Sequence, residues 1–283
     1  MLFRSENCTD TLFYLFSAIS GQEVFRFGDK GRGVCEFYYP LFLSNSFAYD
    51  SLIIYDIPVG RLTKIDLHAL VENQDITKCA NSEHLYRNLN FMYNFNKVDS
   101  AFIGTFIEKD EGLFSFCNRN NGEIKNTDYV PYYFYEKGRK DAYCHHVLVS
   151  EKDNSIIVPF KYMNLINCYD LDGNLKVTYA LDWIKEEINT QIRVDEHTTV
   201  TFYRTYATRN RCYLVWDGHK IEEELRKYPA KIVVMNWQGE LEKVYQLDNF
   251  ADFIIPDEKQ RMIYVGVYNA GLEFVEIYKY PML

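Results

Sequence analysis

Apolar and polar positions alternate in short bursts broken by tight polar turns, and one phrase returns five times along the chain. LFYLFSAISGQEVFRFG at 12–28, SLIIYDIPVGRLTKIDL at 51–67 and LFSFCNRNNGEIKNTDYV at 113–130 each read as strand, turn, strand. INCYDLDGNLKVTYAL at 166–181 and IVVMNWQGELEKVYQL at 232–247 repeat the pattern. Alternation with period two predicts half-buried strands, because successive side chains of a strand point to opposite faces. Every turn holds a glycine (Gly21, Gly60, Gly122, Gly173, Gly239), the residue for which positive φ costs least. Asn121-Gly122 and Asp172-Gly173 are hairpin dipeptides in their own right.

Upstream of most of these hairpins a second strand pair is predicted. HVLVSEKDNSIIVPF at 146–160 turns through Glu151–Asn154, and FADFIIPDEKQRMIYVGVY at 250–268 turns through Pro256–Gln260. The segments 102–118 and 201–218 take the same place, giving four short antiparallel strands per unit. The turn glycines recur near the period of about 40–50 residues expected of propeller blades, stretched by polar insertions at 67–88, 181–191 and 219–229. The last two insertions are predicted as short helices. A four-stranded sheet with two apolar faces must stack on neighbours, and radial closure leaves only short protected edges. The expectation is therefore all-β: one six-bladed β-propeller domain over 1–283, with five blades as the alternative. Before Gly21 only one strand is clear, so the ring is expected to close through N- and C-terminal strands sharing a blade. A two-sheet sandwich would need fewer strands and would not explain the recurring unit.

Composition sharpens this picture. The 24 Tyr and 20 Phe suit pleated surfaces, and a net charge of −9 argues against nucleic acid as a partner. The seven cysteines are widely spaced without a CxxC, which predicts buried thiols rather than disulfides or a zinc site. No basic region followed by an apolar core marks a signal peptide, and no run of about 18 apolar residues spans a membrane.

FRFGDKGRGVCEFYYP at 25–40 resembles a signature of bacterial six-bladed propellers of the TolB-like and NHL-like kind. Phe27, Gly28, Gly31, Gly33, Glu36, Phe37 and Pro40 fall on the pattern, while Val34-Cys35 stands where a Pro-Gly pair is usual. DSLIIYD, SAFIGTF, CYDLDGNL and MNWQGELEKVY follow in blade-like order. The resemblance implies a fold more firmly than an activity, and an exported or envelope-associated setting.

As chemistry, the same glycines run GxxGxG, the reverse of a dinucleotide fingerprint, and Pro40 with its aromatics does not open a helix. A backbone device between blades is the expectation, with Phe27 and Phe37 anchoring the flanking strands and Glu36 bonding the loop's own amides. His145-His146 after Cys144 is the densest group of potential ligands, yet neighbours on a strand face opposite ways. No GxSxG occurs, and the carboxylates of 186–187 and 222–224 read as solvated faces. No catalytic, metal or cofactor residue is assigned. Aromatics near blade boundaries (Tyr38, Tyr39, Tyr132, Tyr133, Phe134, Tyr135, Tyr203, Tyr206) and the basic stretch 136–146 are the binding candidates. From these and the glycine loop, Arg32, Tyr38, Tyr39, Tyr133, Arg139, His145 and His146 are selected. The expected function is a non-catalytic binding or scaffold module, a monomer contacting a protein, peptide or glycan. The alternative is a metal-dependent propeller hydrolase or lactonase with its site in the central channel.

Overall fold

A computed structural model describes residues 2–4, 11–17, 19–33, 35–43, 51–89, 92–106, 112–130, 143, 145–181, 194–223, 228–269 and 274–282. The chain divides into two compact units, Met1–Lys109 with Phe116–Lys125, and Asp110–Ser115 with Asn126–Leu283.

In the first unit β1 (Leu2–Arg4), β2 (Phe13–Phe16) and β3 (Glu23–Phe27) make a three-stranded antiparallel sheet. β4 (Asp29–Lys30) and β5 (Glu36–Phe37) pair in parallel. A four-stranded meander follows: β6 (Pro40–Phe42), β7 (Ser51–Asp56), β8 (Arg61–Asp66) and β9 (Ala80–His84). Another comprises β10 (Met92–Lys97), β11 (Ala101–Phe106), β12 (Ser115–Asn118) and β13 (Ile124–Asn126). The insertion at 67–88 holds α1 (Leu67–Asn73), N-capped by Asp66, whose carboxylate accepts from the Ala69 amide.

In the second unit β14 (Leu148–Ser150), β15 (Ser155–Pro159), β16 (Leu165–Tyr169) and β17 (Leu175–Ala180) form one meander. β18 (Thr199–Ala207), β19 (Arg211–Lys220), β20 (Lys231–Asn236) and β21 (Leu241–Gln246) form the next. β22 (Phe253–Asp257), β23 (Met262–Asn269) and β24 (Phe274–Pro281) make a three-stranded sheet.

The repeating unit is thus the expected one, and all five turn glycines have positive φ, between 62° and 86°. Apolar alternation explains why the sheets must stack. On β19, Cys212 and Leu214 join a core with Ile157, Ile166, Val233 and Trp237, while Tyr213 and Val215 join another with Ile232, Ile254 and Ile263. Each face of one strand is therefore buried against a different neighbouring sheet. Four of the five described cysteines (Cys79, Cys117, Cys168, Cys212) are buried free thiols and Cys35 is half-buried; Cys8 and Cys144 lie outside the described residues.

Several expectations are corrected. Among the described residues six full blades are not reached: four sheets carry four strands and the two terminal sheets carry three, an inventory nearer the five-blade alternative. Among the described residues β1 pairs with β2 and β24 with β23. A partner close in sequence costs less loop-closure entropy than one at the far end of the chain. The turn after β22 is Glu258–Arg261, and Pro256 sits inside the strand. Of the predicted helix at 219–229, 219–220 end β19 and 221–223 form a turn, while 224–227 lie outside the described residues. The predicted helix at 181–191 lies, but for Leu181, outside the described residues.

Candidate functional site

The glycine loop of the first unit folds around a buried ion pair. Arg61 opens β8 and Asp56 closes β7, so the hairpin that joins the strands sets the two side chains beside each other, 3.5 Å apart. Both are almost wholly buried. The Arg61 guanidinium donates to the carbonyls of Gly33 (2.6 Å), Arg32 (3.5 Å) and Glu36, and it lies over the Phe37 ring at 5.7 Å. Asp56 accepts from the amides of Tyr38 (3.0 Å) and Tyr39 (2.7 Å). Glu36 accepts from the Gly33 amide at 2.8 Å, the self-bonding expected of it. Phe27 and Phe37 anchor the flanks on Phe13, at centroid distances of 5.1 and 5.3 Å.

This arrangement runs opposite to a phosphate cradle. Such a cradle presents amides to its ligand, whereas here loop carbonyls converge on a guanidinium, and the amides of Gly31, Gly33, Tyr38 and Tyr39 are satisfied internally. What the loop turns outward is side chain. Tyr38 and Tyr39 are 50% and 51% exposed, and the exposed Arg32 lies over the Tyr38 ring at 5.7 Å. Three of the seven binding candidates are therefore brought together on a clamped loop.

The others fare differently. Tyr133 and Arg139, with Tyr132, Phe134 and Tyr135, lie outside the described residues. His145 is buried, bonds the Tyr143 carbonyl through Nδ1 and packs on Phe160 at 5.9 Å. Burial pushes its pKa down to about 4, against the pull of the Tyr143 carbonyl. His146 is half-buried and turns its Nε2 to the Tyr203 carbonyl at 3.0 Å. It too is pushed down to about 4, chiefly by desolvation, with the Arg204 and Lys161 charges adding to it.

Around His146 the second unit gathers groups that no motif in the sequence announces. Lys161 lies over the rings of Tyr162 (4.9 Å) and Tyr203 (5.1 Å), and exposed Arg204 lies over Tyr203 at 4.4 Å. Behind them β19 bulges: Val200 pairs with His219 and Phe202 with Trp216, which leaves Asp217 and Gly218 opposite Thr201. Gly218 has φ +71°, and the Trp216 ring occupies the space a Cβ would need. The bulge turns Asp217 (4% exposed) and His219 (1%) inward, and among the described residues no polar atom of either side chain has a hydrogen-bond partner. Burial pushes the Asp217 carboxyl up to about 7, with Arg204 and Lys161 opposing. Burial likewise lowers His219.

A cleft of about 380 Å³ elsewhere in this unit, lined by Arg211, Tyr213, Glu242, Tyr245, Glu258 and Arg261 among others, has much of its charge paired internally. Arg211 bonds Glu242, and Glu258 accepts from Thr208, Asn210 and Tyr213. Among the described residues no three His, Cys, Asp or Glu side chains gather as a metal set, and no helix is long and apolar enough to cross a membrane.

No family model and no curated protein matches the chain. Among solved structures it is similar to a member of the DUF4221 family from Bacteroides vulgatus, at 12% identity and TM-score 0.58 over 99% of this chain and 92% of that one. It is similar to a hypothetical selenium-binding protein from Sulfolobus tokodaii at 8% identity and TM-score 0.51, over 98% and 69% of the two chains. A catalytically inactive virginiamycin B lyase from Staphylococcus aureus aligns at 10% identity and TM-score 0.44, over 100% and 88%. Identities this low speak to fold alone, and with the repeated antiparallel meanders they make the chain an all-β propeller.

Proposed function

We propose that the protein is a non-catalytic binding or scaffold propeller, a single domain over its 283 residues, that contacts a protein, peptide or glycan through one face. The observation that supports this most is the Arg32–Tyr38–Tyr39 platform. Exposed aromatic rings are amphipathic, suiting stacking and hydrogen bonding alike. Their backbone is fixed by Asp56 and Arg61, so ordering the loop on binding costs little. Probing the full chain with a printed glycan array and a random-peptide phage library tests the reading. Ligands selected by the wild type should lose about tenfold or more in affinity for a Tyr38→Ser, Tyr39→Ser, Arg32→Ala triple variant. Full retention of binding by a folded triple variant would remove the platform from the function. Stoichiometric Ca²⁺ or Zn²⁺ in purified protein would favour a metal-dependent hydrolase instead.

A further inference from the structure

We infer that the Lys161–Arg204 corner of the second unit is a separate site for the carboxylates of an acidic peptide, and that Asp217 behind it is a built-in counter-ion that takes up a proton when the peptide binds. The corner is assembled by three elements. The turn at 161–164 is tied to β18 by a 2.7 Å bond from the Thr201 amide to the Lys161 carbonyl, while Thr201 Oγ1 bonds the carbonyls of Phe160, Lys161 and Met163. β18 contributes Tyr203 and Arg204. The bulge of β19 delivers Asp217 and His219 opposite the same Thr201.

Two features point to an anion. Arg204 is exposed and makes no ion pair among the described residues. A buried carboxylate whose two oxygens have no hydrogen-bond partner among the described residues is costly, and here Lys161 and Arg204 supply the favourable charge it feels. The same cations lie over the Tyr162 and Tyr203 rings. Sugar stacking would need those faces open, so peptide carboxylates fit the corner better than a glycan.

Coupling follows from charge. An anion on Lys161 and Arg204 adds negative charge next to Asp217 and withdraws the cations that favour its ionised form. Asp217 then takes a proton from solvent. The other group acting on it is Asp252, ahead of β22, which opposes ionisation; His219, two residues along β19, is lowered by its own burial, with Glu223 opposing and Lys161 adding. His146, lowered to about 4, stays neutral near pH 7 and does not supply the coupling. By linkage, a group that titrates near 7 in the free protein and stays protonated in the complex strengthens binding by up to about tenfold between about pH 8 and about pH 6.

Calorimetric titration of the full chain with a capped hexaglutamate peptide, at low salt and at about pH 6 and about pH 8, reads this directly; the peptide is ionised at both. Binding is expected to be tighter at the lower pH, with proton uptake visible when buffers of different ionisation heat are compared. Asp217→Asn should bind equally at both pH values, and Arg204→Ala or Lys161→Ala should lose about tenfold or more. The Tyr38 and Tyr39 variants should titrate as wild type, which separates this site from the platform. No binding at either pH, pH-independent binding by the wild type, or wild-type pH dependence in Asp217→Asn would each overturn the inference. If Asp217→Asn does not fold, proton uptake by the wild type decides alone: none, and the inference fails.

Discussion

Replacing Arg61 by Met should be among the most damaging single changes in the first unit. The side chain is 3% exposed, and Met preserves much of its length and apolar contact with Phe37 while removing the charge and every donor. Three carbonyls then lose the Arg61 donor, those of Arg32, Glu36 and Gly33, the last keeping the Glu36 amide at 3.3 Å, and Asp56 loses its counter-ion while fully buried. A buried polar group left unpartnered costs about 1–3 kcal/mol, and breaking a buried ion pair from one side about 3–5 kcal/mol. These contributions overlap. Asp56 keeps two amide donors, from Tyr38 and Tyr39, and the loop carbonyls gain some access to water once the loop loosens. A net loss of about 3–4 kcal/mol is expected. Urea denaturation followed by tryptophan fluorescence and by circular dichroism measures it. Glu36→Gln is the internal calibration, since it weakens one exposed bond to the Gly33 amide and should cost under about 1 kcal/mol. If Arg61→Met lost less than about 1 kcal/mol, or no more than Glu36→Gln, the claim that carbonyl convergence on Arg61 holds the loop would be wrong.

Other perturbations separate the roles of neighbouring groups. Gly28→Ala should cost about 1–3 kcal/mol, because φ is +79° and the added Cβ would lie 2.7 Å from the buried Phe13 ring; unchanged thermal stability would contradict this. Gly31→Val should cost less, since its obstacle is the movable end of the Glu36 carboxylate, and the ranking of the two melting temperatures checks it. Leu214→Ala, in the core shared by β14–β17 and β18–β21, should lose about 2–5 kcal/mol by chemical denaturation. His145 is held below its unfolded value, so its contribution is intact above about pH 6.5 and is lost as the pH falls through about 4, a difference on the order of 3 kcal/mol. His145→Gln should flatten that acid limb. Asp217 is raised, so its effect has the opposite sign: stability is greatest below the unfolded value and declines as pH rises through about 7. Stability curves from pH 4 to 9 for Asp217→Asn should lack the decline near neutrality.

The hairpins were legible because their information is local. Asp172-Gly173 and Asn121-Gly122 adopt the positive φ their residues favour, and period-two alternation locates the strands on either side. The self-bonding of Glu36 and the anchoring by Phe27 and Phe37 were legible for the same reason. The Arg61–Asp56 clamp was not, although the residues lie five apart, because nothing in IIYDIPVGRL says that both side chains turn inward under a loop some 25 residues earlier. Lys161, Arg204 and Asp217 are still less legible. They meet through strand register and through a bulge at Gly218, which interrupts the alternation that would otherwise place Asp217. At 219–220 strand stands where a helix is expected because Arg211–Lys220 extends one strand through polar residues, its partner β18 satisfying the backbone.

The meander order of the sheets bears on how the chain acquires its structure. Among the described residues, each strand in the sheets of three or four strands pairs only with the strands before and after it in the sequence. Pairing between such neighbours closes short loops, so the entropic barrier to each step is small and its rate is high for a β protein. Structure can then grow by successive hairpins, each stabilised once the next sheet covers its apolar face. Pulse-labelled hydrogen exchange during refolding would show protection arising in blocks that match single sheets rather than uniformly along the chain.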